Sequence, residues 1–323
     1  MRVVVTGGAG YLGSCVVRQL LEHKHDVRVV DTLLHGGRSL LEIFHQPRLQ
    51  VVRCDIRDTH HLPAALKDAE AVIHLAAIVG DAAAARDATS TREVNHTASM
   101  QLFEQAARAG AKRFLFASTC SNYGKGLDAD GYFHESSPLT PLSLYAETKV
   151  EVERHLLAHP RPGVRVSIMR FATLFGLSPR PRLDLTVNDF TVQLFIKNKL
   201  EIYDESFWRP YLHVRDAARA VHELLKSKAP ASPVADVWNV GDTRLNYQKR
   251  QIAEKIHALL GNTAEIMLVK KGSDPRDYRV SFDKIKREIG YCANQTLADG
   301  IRELIAALQL KMLSNPESPI YRN

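Results

Sequence analysis

Short apolar runs alternate with longer amphipathic ones through the first 171 residues, and few folds accommodate that alternation. The short runs are VVVT at 3–6, DVRVVD at 26–31, QVVRCD at 50–55, AVIHLA at 71–76, RFLFAS at 113–118 and RVSIMR at 165–170. Between them lie helical patterns such as YLGSCVVRQLLEH, NHTASMQLFEQAARAG and LSLYAETKVEVERHLLAH. Nearly continuous apolar strands, each followed by a helix, fit a mostly parallel sheet covered on both faces. The expected fold class is α/β, with a doubly wound parallel sheet.

After Phe171 the pattern loosens, and Pro179, Pro181 and several arginines break up the chain. A length of 323 residues allows about two domains. We expect a dinucleotide-binding domain over 1–171 and a smaller, mainly substrate-binding lobe over 172–323. The run PVADVWNVG at 233–241 reads as one more strand, so 213–260 is expected to return to the first domain. The tail LSNPESPIYRN has no periodicity and reads as an irregular end.

A chain this long needs no disulfide or metal staple. Cys15, Cys54, Cys120 and Cys292 form no CxxC pair and read as reduced thiols of a cytoplasmic protein. Met1 leads almost at once into VVVT, so no secretory leader is expected, and no apolar run reaches membrane-spanning length. The sequons at Asn95 and Asn294 therefore carry little weight. Net charge is +7, but the cations are scattered among nearly as many acids, which reads as a solvated surface rather than a nucleic-acid face. The exception is the cluster KKGSDPRDYR, Lys270 to Arg279. The 14 histidines show no metal-ligand spacing, and no metal is expected.

VVVT runs straight into GGAGYLG, Gly7 to Gly13, and then into a helix. Gly8, Gly10 and Gly13 fit GxGxxG, and Gly7, Gly10 and Gly13 fit GxxGxxG. A lone match says little; the strand before it and the helix after it give it meaning. Glycines let the backbone approach a pyrophosphate, and the helix N-terminus offers free N–H groups. This makes the sheet Rossmann-type. Asp31 ends the second run, where a carboxylate bonds a ribose 2′-hydroxyl and repels a 2′-phosphate, so NAD is expected over NADP. Asp55, followed by Ile56, ends the third and either bonds an adenine amino group or caps a helix. HLAA, ending in Leu75, Ala76 and Ala77, leaves room beside a cofactor or simply packs closely.

YAETK places Tyr145 and Lys149 four residues apart on one helix face. A free tyrosine titrates at about 10, and a nearby ammonium lowers that value. The strand RFLFAS then delivers Ser118, Thr119, Cys120, Ser121, Asn122 and Tyr123 in succession, which reads either as a turn or as reactive chemistry at a strand end.

In order and spacing, TGGAGYLG, Asp31, HLAA, Asn95, STCSNYG and YAETK resemble the extended short-chain dehydrogenase/reductase family, and within it the NAD-dependent nucleotide-sugar epimerases and dehydratases. RFATLFG, WRPYLHVRD, WNVGD and DPRDYRVSFDK extend the resemblance over nearly the whole chain. It implies catalytic roles for Thr119, Tyr145 and Lys149, with Thr119 bonding the sugar oxygen that becomes a carbonyl. It implies cofactor contacts at Gly7, Gly10, Tyr11, Leu12, Gly13, Asn95 and Ser118, with Lys149 on the nicotinamide ribose. Similar 4,6-dehydratases carry Asp-Glu after the catalytic Thr; this chain has Cys120-Ser121, which argues against elimination of water. Cys120 is either a thiol in the sugar pocket or a small buried filler.

On the substrate side, the resemblance implies phosphate contacts from Arg209, with Lys271 and Arg276 as a second clamp. Thr173 stands where the family often has Asn, and Asn188 is an alternative amide donor. Tyr203, in LEIYD, lies in the segment expected beside the base, and Gly80 and Asp81 are placed to reach the sugar. The implied activity is epimerisation of a nucleoside-diphosphate sugar at C4. The alternatives are a keto-sugar reductase, a sugar-acid decarboxylase or synthase, and a non-enzymatic NAD-sensing binder. The helices around 96–109 and 145–158 carry apolar residues in surplus, which with the resemblance implies a homodimer.

Overall fold

The computed structural model describes residues 1–126, 131–227, 235–261, 263–269 and 276–323. Its strands are β1 (Arg2–Thr6), β2 (Asp26–Asp31), β3 (Leu49–Arg53), β4 (Ala71–His74), β5 (Arg113–Thr119), β6 (Arg165–Phe171), β7 (Thr173–Phe175), β8 (Lys199–Tyr203), β9 (Trp208–His213), β10 (Ala235–Val240), β11 (Asn246–Gln248) and β12 (Glu265–Val269). Seven of them form one sheet in the order β10-β6-β5-β4-β1-β2-β3, every pair parallel.

The two-residue period of a strand explains why both sheet faces need cover. Val3 and Val5 of β1 join a core with Val27, Val29 and Ile73, closed by Val16, Val17 and Leu20 of the helix Tyr11–Glu22. Val4, between them, joins the opposite core with Val72, Phe114 and Val166, closed by Leu102 and Phe103 of the helix Ser99–Arg108 and by Val152 and Leu156 of the helix Leu144–Ala158. Strand order reverses at β1, whose neighbours are β2 and β4, and the crevice opens beyond the carboxyl ends of these strands.

Two strands end earlier than the apolar runs suggest. β3 stops at Arg53, and Asp55 opens a turn, accepting from the Arg57 amide at 2.9 Å. β4 stops at His74, where Thr6 draws the chain away: its carbonyl accepts from the Leu75 amide (3.1 Å) and its Oγ1 from the Ala76 amide (3.3 Å). Both departures bring Asp55, Leu75 and Ala76 to the crevice rim.

The second lobe holds a three-stranded sheet, β11-β9-β7, and the parallel pair β12-β8. The chain returns to the first lobe through the helix Val214–Lys226, which supplies Val214, Ala217, Val221 and Leu225 to the β1 core, and through β10. The return is shorter than 213–260. Ile252, Ala253 and Ile256 of the helix Lys249–Leu259 instead pack with Val187, Leu200, Ile202 and Ile301 in the core of the small lobe. No helix among the described residues is long and apolar enough to cross a membrane.

Candidate active site

A cavity of about 810 Å³ lies along the crevice between the lobes. On its first-lobe wall is the glycine loop. Gly7 has φ +72°, and a Cβ there would sit 2.7 Å from the Ala76 amide nitrogen. A Cβ on Gly13 would fall 2.0 Å from the Gly7 carbonyl oxygen. Only hydrogen fits at either position, so strand, loop and helix pack closely enough for the helix N-terminus to face the cavity. Gly10, Tyr11, Leu12 and Gly13 line it, as do Asp31, Asp55, Ile56, Leu75, Ala76 and Ala77. The Asp31 carboxylate is fixed by the Ala9 amide (3.0 Å) and the Leu33 amide (2.8 Å). Asp55 is gripped by Arg57 at 2.8 Å, and this bond holds its carboxyl below the usual carboxylate range.

The strand end that carries six polar or reactive residues sorts them by direction. After Thr119 the chain enters a tight turn, Cys120–Tyr123, and the Thr119 Oγ1 accepts from the Ser121 amide at 3.1 Å. Thr119 and Ser121 face the cavity, while Cys120, Asn122 and Tyr123 turn into the protein. Ser118 lines the cavity too, but its hydroxyl donates to the Glu153 carboxylate. Glu153 also accepts from Asn122 Nδ2 (2.8 Å) and pairs with Arg170 at 2.6 Å, all of it buried. Arg170 donates in turn to the Tyr123 hydroxyl (3.0 Å), which donates to Asn239 (2.7 Å). This network anchors the floor beneath Thr119.

Ser143 caps the helix Leu144–Ala158, its side chain accepting from the Ala146 amide. Tyr145 in the first turn and Lys149 in the second face the cavity. Burial holds the Tyr145 hydroxyl well above its ordinary value, the Asp81 carboxylate adds to this, and Arg182 opposes it. Lys149, expected to lower that value, is not among the charges that shift it. Its ammonium lies 5.9 Å from the Tyr145 ring centre and over the Phe116 ring at 4.8 Å. Lys149 is itself pushed down to about 7 by burial, against the pull of Glu153.

That depression has a measurable sign. Unfolded lysine titrates at about 10.4, so unfolding takes up a proton between about pH 7 and pH 10, and stability should rise with pH across that window. Lys149→Met should flatten the rise, as read by urea unfolding at several pH values. An unchanged slope would contradict the assignment.

The second lobe contributes Thr173, Arg209 and Arg276, and the loop after β4 contributes Gly80 and Asp81. Arg276 pairs with Asp81 at 2.8 Å and reaches the Ser121 hydroxyl at 3.3 Å. Arg209 is buried and lies over the Tyr278 ring at 5.0 Å. Asp81 Oδ1 is buried with no hydrogen-bond partner among the described residues, an acceptor left over beside Tyr145.

Four expected site residues stand elsewhere. Asn95 is fully buried behind the wall and clamps Ile78, accepting from its amide (2.8 Å) and donating to its carbonyl (2.9 Å). Asn188 spends its amide on the Gly176 and Arg182 backbone and has no donor left for a sugar phosphate. Cys120 is 1% exposed, donates to the Arg170 carbonyl, has its thiol pushed up by burial and does not line the cavity. Tyr203 sits on an outer strand face with its hydroxyl on Glu201. Lys271 lies outside the described residues.

Sequence reasoning missed His35, Arg180, Arg182 and Tyr278, all of which line the cavity. The SPRPRLD stretch read as a break between lobes, and its two arginines were the available signal. Of the apolar residues on the outer helices, Leu157 is exposed at 45%. Leu102, Phe103, Ala106, Val152 and Leu156 are all spent on their own sheet, and Glu104, His155 and Arg161 pair outside them.

A model of the NAD dependent epimerase/dehydratase family matches residues 3–241. The chain is 26% identical over 328 residues to a UDP-glucose 4-epimerase from Lacticaseibacillus casei, covering 94% of this chain and 95% of that protein. It is 25% identical to UDP-glucuronic acid decarboxylase 1 of Arabidopsis thaliana, over 98% of this chain and 72% of that one. Its backbone matches a dTDP-glucose 4,6-dehydratase from Streptomyces venezuelae, solved with NAD bound, with a TM-score of 0.84 and 29% identity over 97% of this chain and 98% of the other.

Proposed function

The chain belongs to the NAD dependent epimerase/dehydratase family, and from its cleft we propose that it epimerises a nucleoside-diphosphate sugar at a ring carbon, C4 by the family resemblance. NAD is the cofactor of this family, and the cleft fits it. The space that a Cβ would fill at Gly7 and Gly13 is closed, the helix Tyr11–Glu22 carries no acid in its first turn, and Asp31 stands at the tip of β2. Gly10, Tyr11, Leu12, Asp31 and Lys149 would hold it. Bound there, it would supply reversible hydride acceptance at a sugar carbon.

The protein's own part is proton movement and orientation. Thr119 and Tyr145 present hydroxyls to the same cavity. The Tyr145 oxygen takes the proton of the reacting sugar hydroxyl and later returns it, while Thr119 bonds the oxygen whose charge changes. Burial and Asp81 raise the Tyr145 hydroxyl's pKa, while Arg182 favours its ionised form. Arg209 and Arg276 suit the substrate's diphosphate.

The observation that carries epimerisation over elimination is the turn after Thr119. The resemblance to 4,6-dehydratases puts the acid and base for removing water there, but Cys120 faces inward and Ser121 is neutral. The carboxylates on the described cavity wall are Asp31, Asp55, Asp81, Asp87 and Asp184, and none is next to Thr119 in the chain. A screen of nucleoside-diphosphate sugars with products identified by NMR tests the reading; a 4-keto-6-deoxy product would contradict it. Cys120→Ser should keep most of its turnover, because the thiol does not face the cavity. A folded but inactive Cys120→Ser protein would favour a thiol-dependent reaction instead.

A second reading, reduction of a nucleotide-linked keto-sugar, has one observation in its favour. The Tyr145 hydroxyl lines the cavity with its pKa raised by burial, which suits donation to a forming alkoxide. A homodimer is proposed on the family resemblance alone.

A further inference from the structure

The segment Leu177–Leu185 leaves β7 and crosses the crevice before the helix Thr186–Lys197 begins. Its backbone is tied down along its length. Ser178 Oγ donates to the Arg180 carbonyl (2.7 Å), Asn188 Nδ2 to the Arg182 carbonyl (2.7 Å), and the Leu183 amide to the Tyr321 carbonyl (2.8 Å). Arg180 and Arg182 are 7% and 8% exposed, and both line the cavity.

Their charges do not balance. Arg182 pairs with Asp184 at 2.6 Å. Arg180 has no ion pair among the described residues; it donates from Nη2 to the Arg322 carbonyl at 3.0 Å, and its Nε is buried with no partner. Burial disfavours its charge, Arg182 beside it adds like-charge repulsion, and Asp184, already paired with Arg182, attracts it. Two buried cations that share one carboxylate leave positive charge in excess at a desolvated site, which is costly until an anion arrives in the cavity.

On the first-lobe wall of the same cavity stands the N-terminus of the helix Tyr11–Glu22, capped by Gly10 with no side-chain cap bond. The two walls are joined, because the Tyr11 hydroxyl donates to the Gly176 carbonyl at 2.8 Å. Arg182 Nη2 lies 3.9 Å from the position a Gly80 Cβ would take. His35, on the loop after Asp31, feels both arginines.

We propose that Arg180 and Arg182 clamp the cofactor's pyrophosphate from the second lobe, opposite the helix N-terminus. Each wall then supplies part of the positive charge, and the cofactor is gripped by both lobes. The assignment rests on the NAD reading above.

Calorimetry on the full chain, stripped of cofactor, tests it with NAD, ADP and adenosine as probes. Arg180→Gln should weaken NAD and ADP about 10- to 100-fold, the range of a lost charge-assisted bond, and leave adenosine unchanged. Arg180→Lys, which keeps the charge, should fall between. The melting temperature of ligand-free Arg180→Gln should stay level or rise, because an unpaired buried charge has gone. A fall in melting temperature with NAD affinity intact would assign Arg180 only a structural role holding Arg322, and would overturn the proposal. Weakened binding of a nucleoside diphosphate to the NAD-saturated protein, with NAD affinity unchanged, would place the substrate's phosphates there and would also overturn it. A parent protein that binds ADP in an Arg180-dependent way but not NAD would contradict the cofactor reading, not the phosphate clamp.

Discussion

Tyr145→Phe is expected to fold, to bind NAD as the parent does, and to turn over about 10² to 10⁴ times more slowly, the usual worth of a positioned general acid or base. The ring stays and only the hydroxyl goes, so the packing around Ser143 and Ala146 at the start of the helix is preserved. The loss should appear in kcat. NAD affinity, read separately, should hardly move, because Gly10, Asp31 and the loop carry that binding. Near-normal turnover in Tyr145→Phe would remove the chemical assignments of Thr119 and Lys149 along with that of Tyr145.

The largest stability effect should come from a residue that lines no cavity. Glu153→Gln keeps the size of the side chain but removes the charge facing Arg170, Ser118 and Asn122. Removing one partner of a buried ion pair typically costs about 3–5 kcal/mol, since the other charge is left unpaired in low dielectric. Urea unfolding should show a loss of that order. The double variant Glu153→Gln/Arg170→Met should recover much of it, because no orphaned guanidinium remains. A loss below about 1 kcal/mol in the single variant would mean the Arg170 charge is balanced elsewhere. The network also has a functional edge. Ser118 and Asn122 flank the turn that aims Thr119 and Ser121 outward, so turnover should fall further than folding alone explains.

How much of this was readable from the chain depended on whether the physics was local. The alternation of apolar runs and the glycine loop are local patterns, and the parallel sheet with Gly7, Gly10 and Gly13 at its switch point follows from them. Tyr145 and Lys149 were readable because helix geometry alone puts them on one face. Cys120 was not, because a one-residue difference in a tight turn decides between cavity and core, and no spacing rule fixes it. Asn95 and Asn188 look like ligand-binding amides in sequence. The structure spends both on backbone groups, at Ile78 and at Gly176 and Arg182, that only tertiary folding brings near. The environment of Tyr145 was hidden for a related reason. Sequence spacing put Lys149 on the same helix face but did not show the burial, which raises the tyrosine and depresses the lysine. Arg180 was hidden in a proline-broken stretch, where sequence offers no periodicity to say which way a side chain faces.

The central claim is that the cleft moves one proton and one hydride out of a nucleotide sugar and puts both back. A nucleoside-diphosphate hexose deuterated at the reacting carbon, incubated with the NAD-loaded protein and followed by NMR, tests it most directly. The account predicts an epimeric product that keeps its deuterium at that carbon, gains none of the solvent's hydrogen there, and leaves no net NADH. Loss of the label to water, or stoichiometric consumption of added NADH, would contradict it.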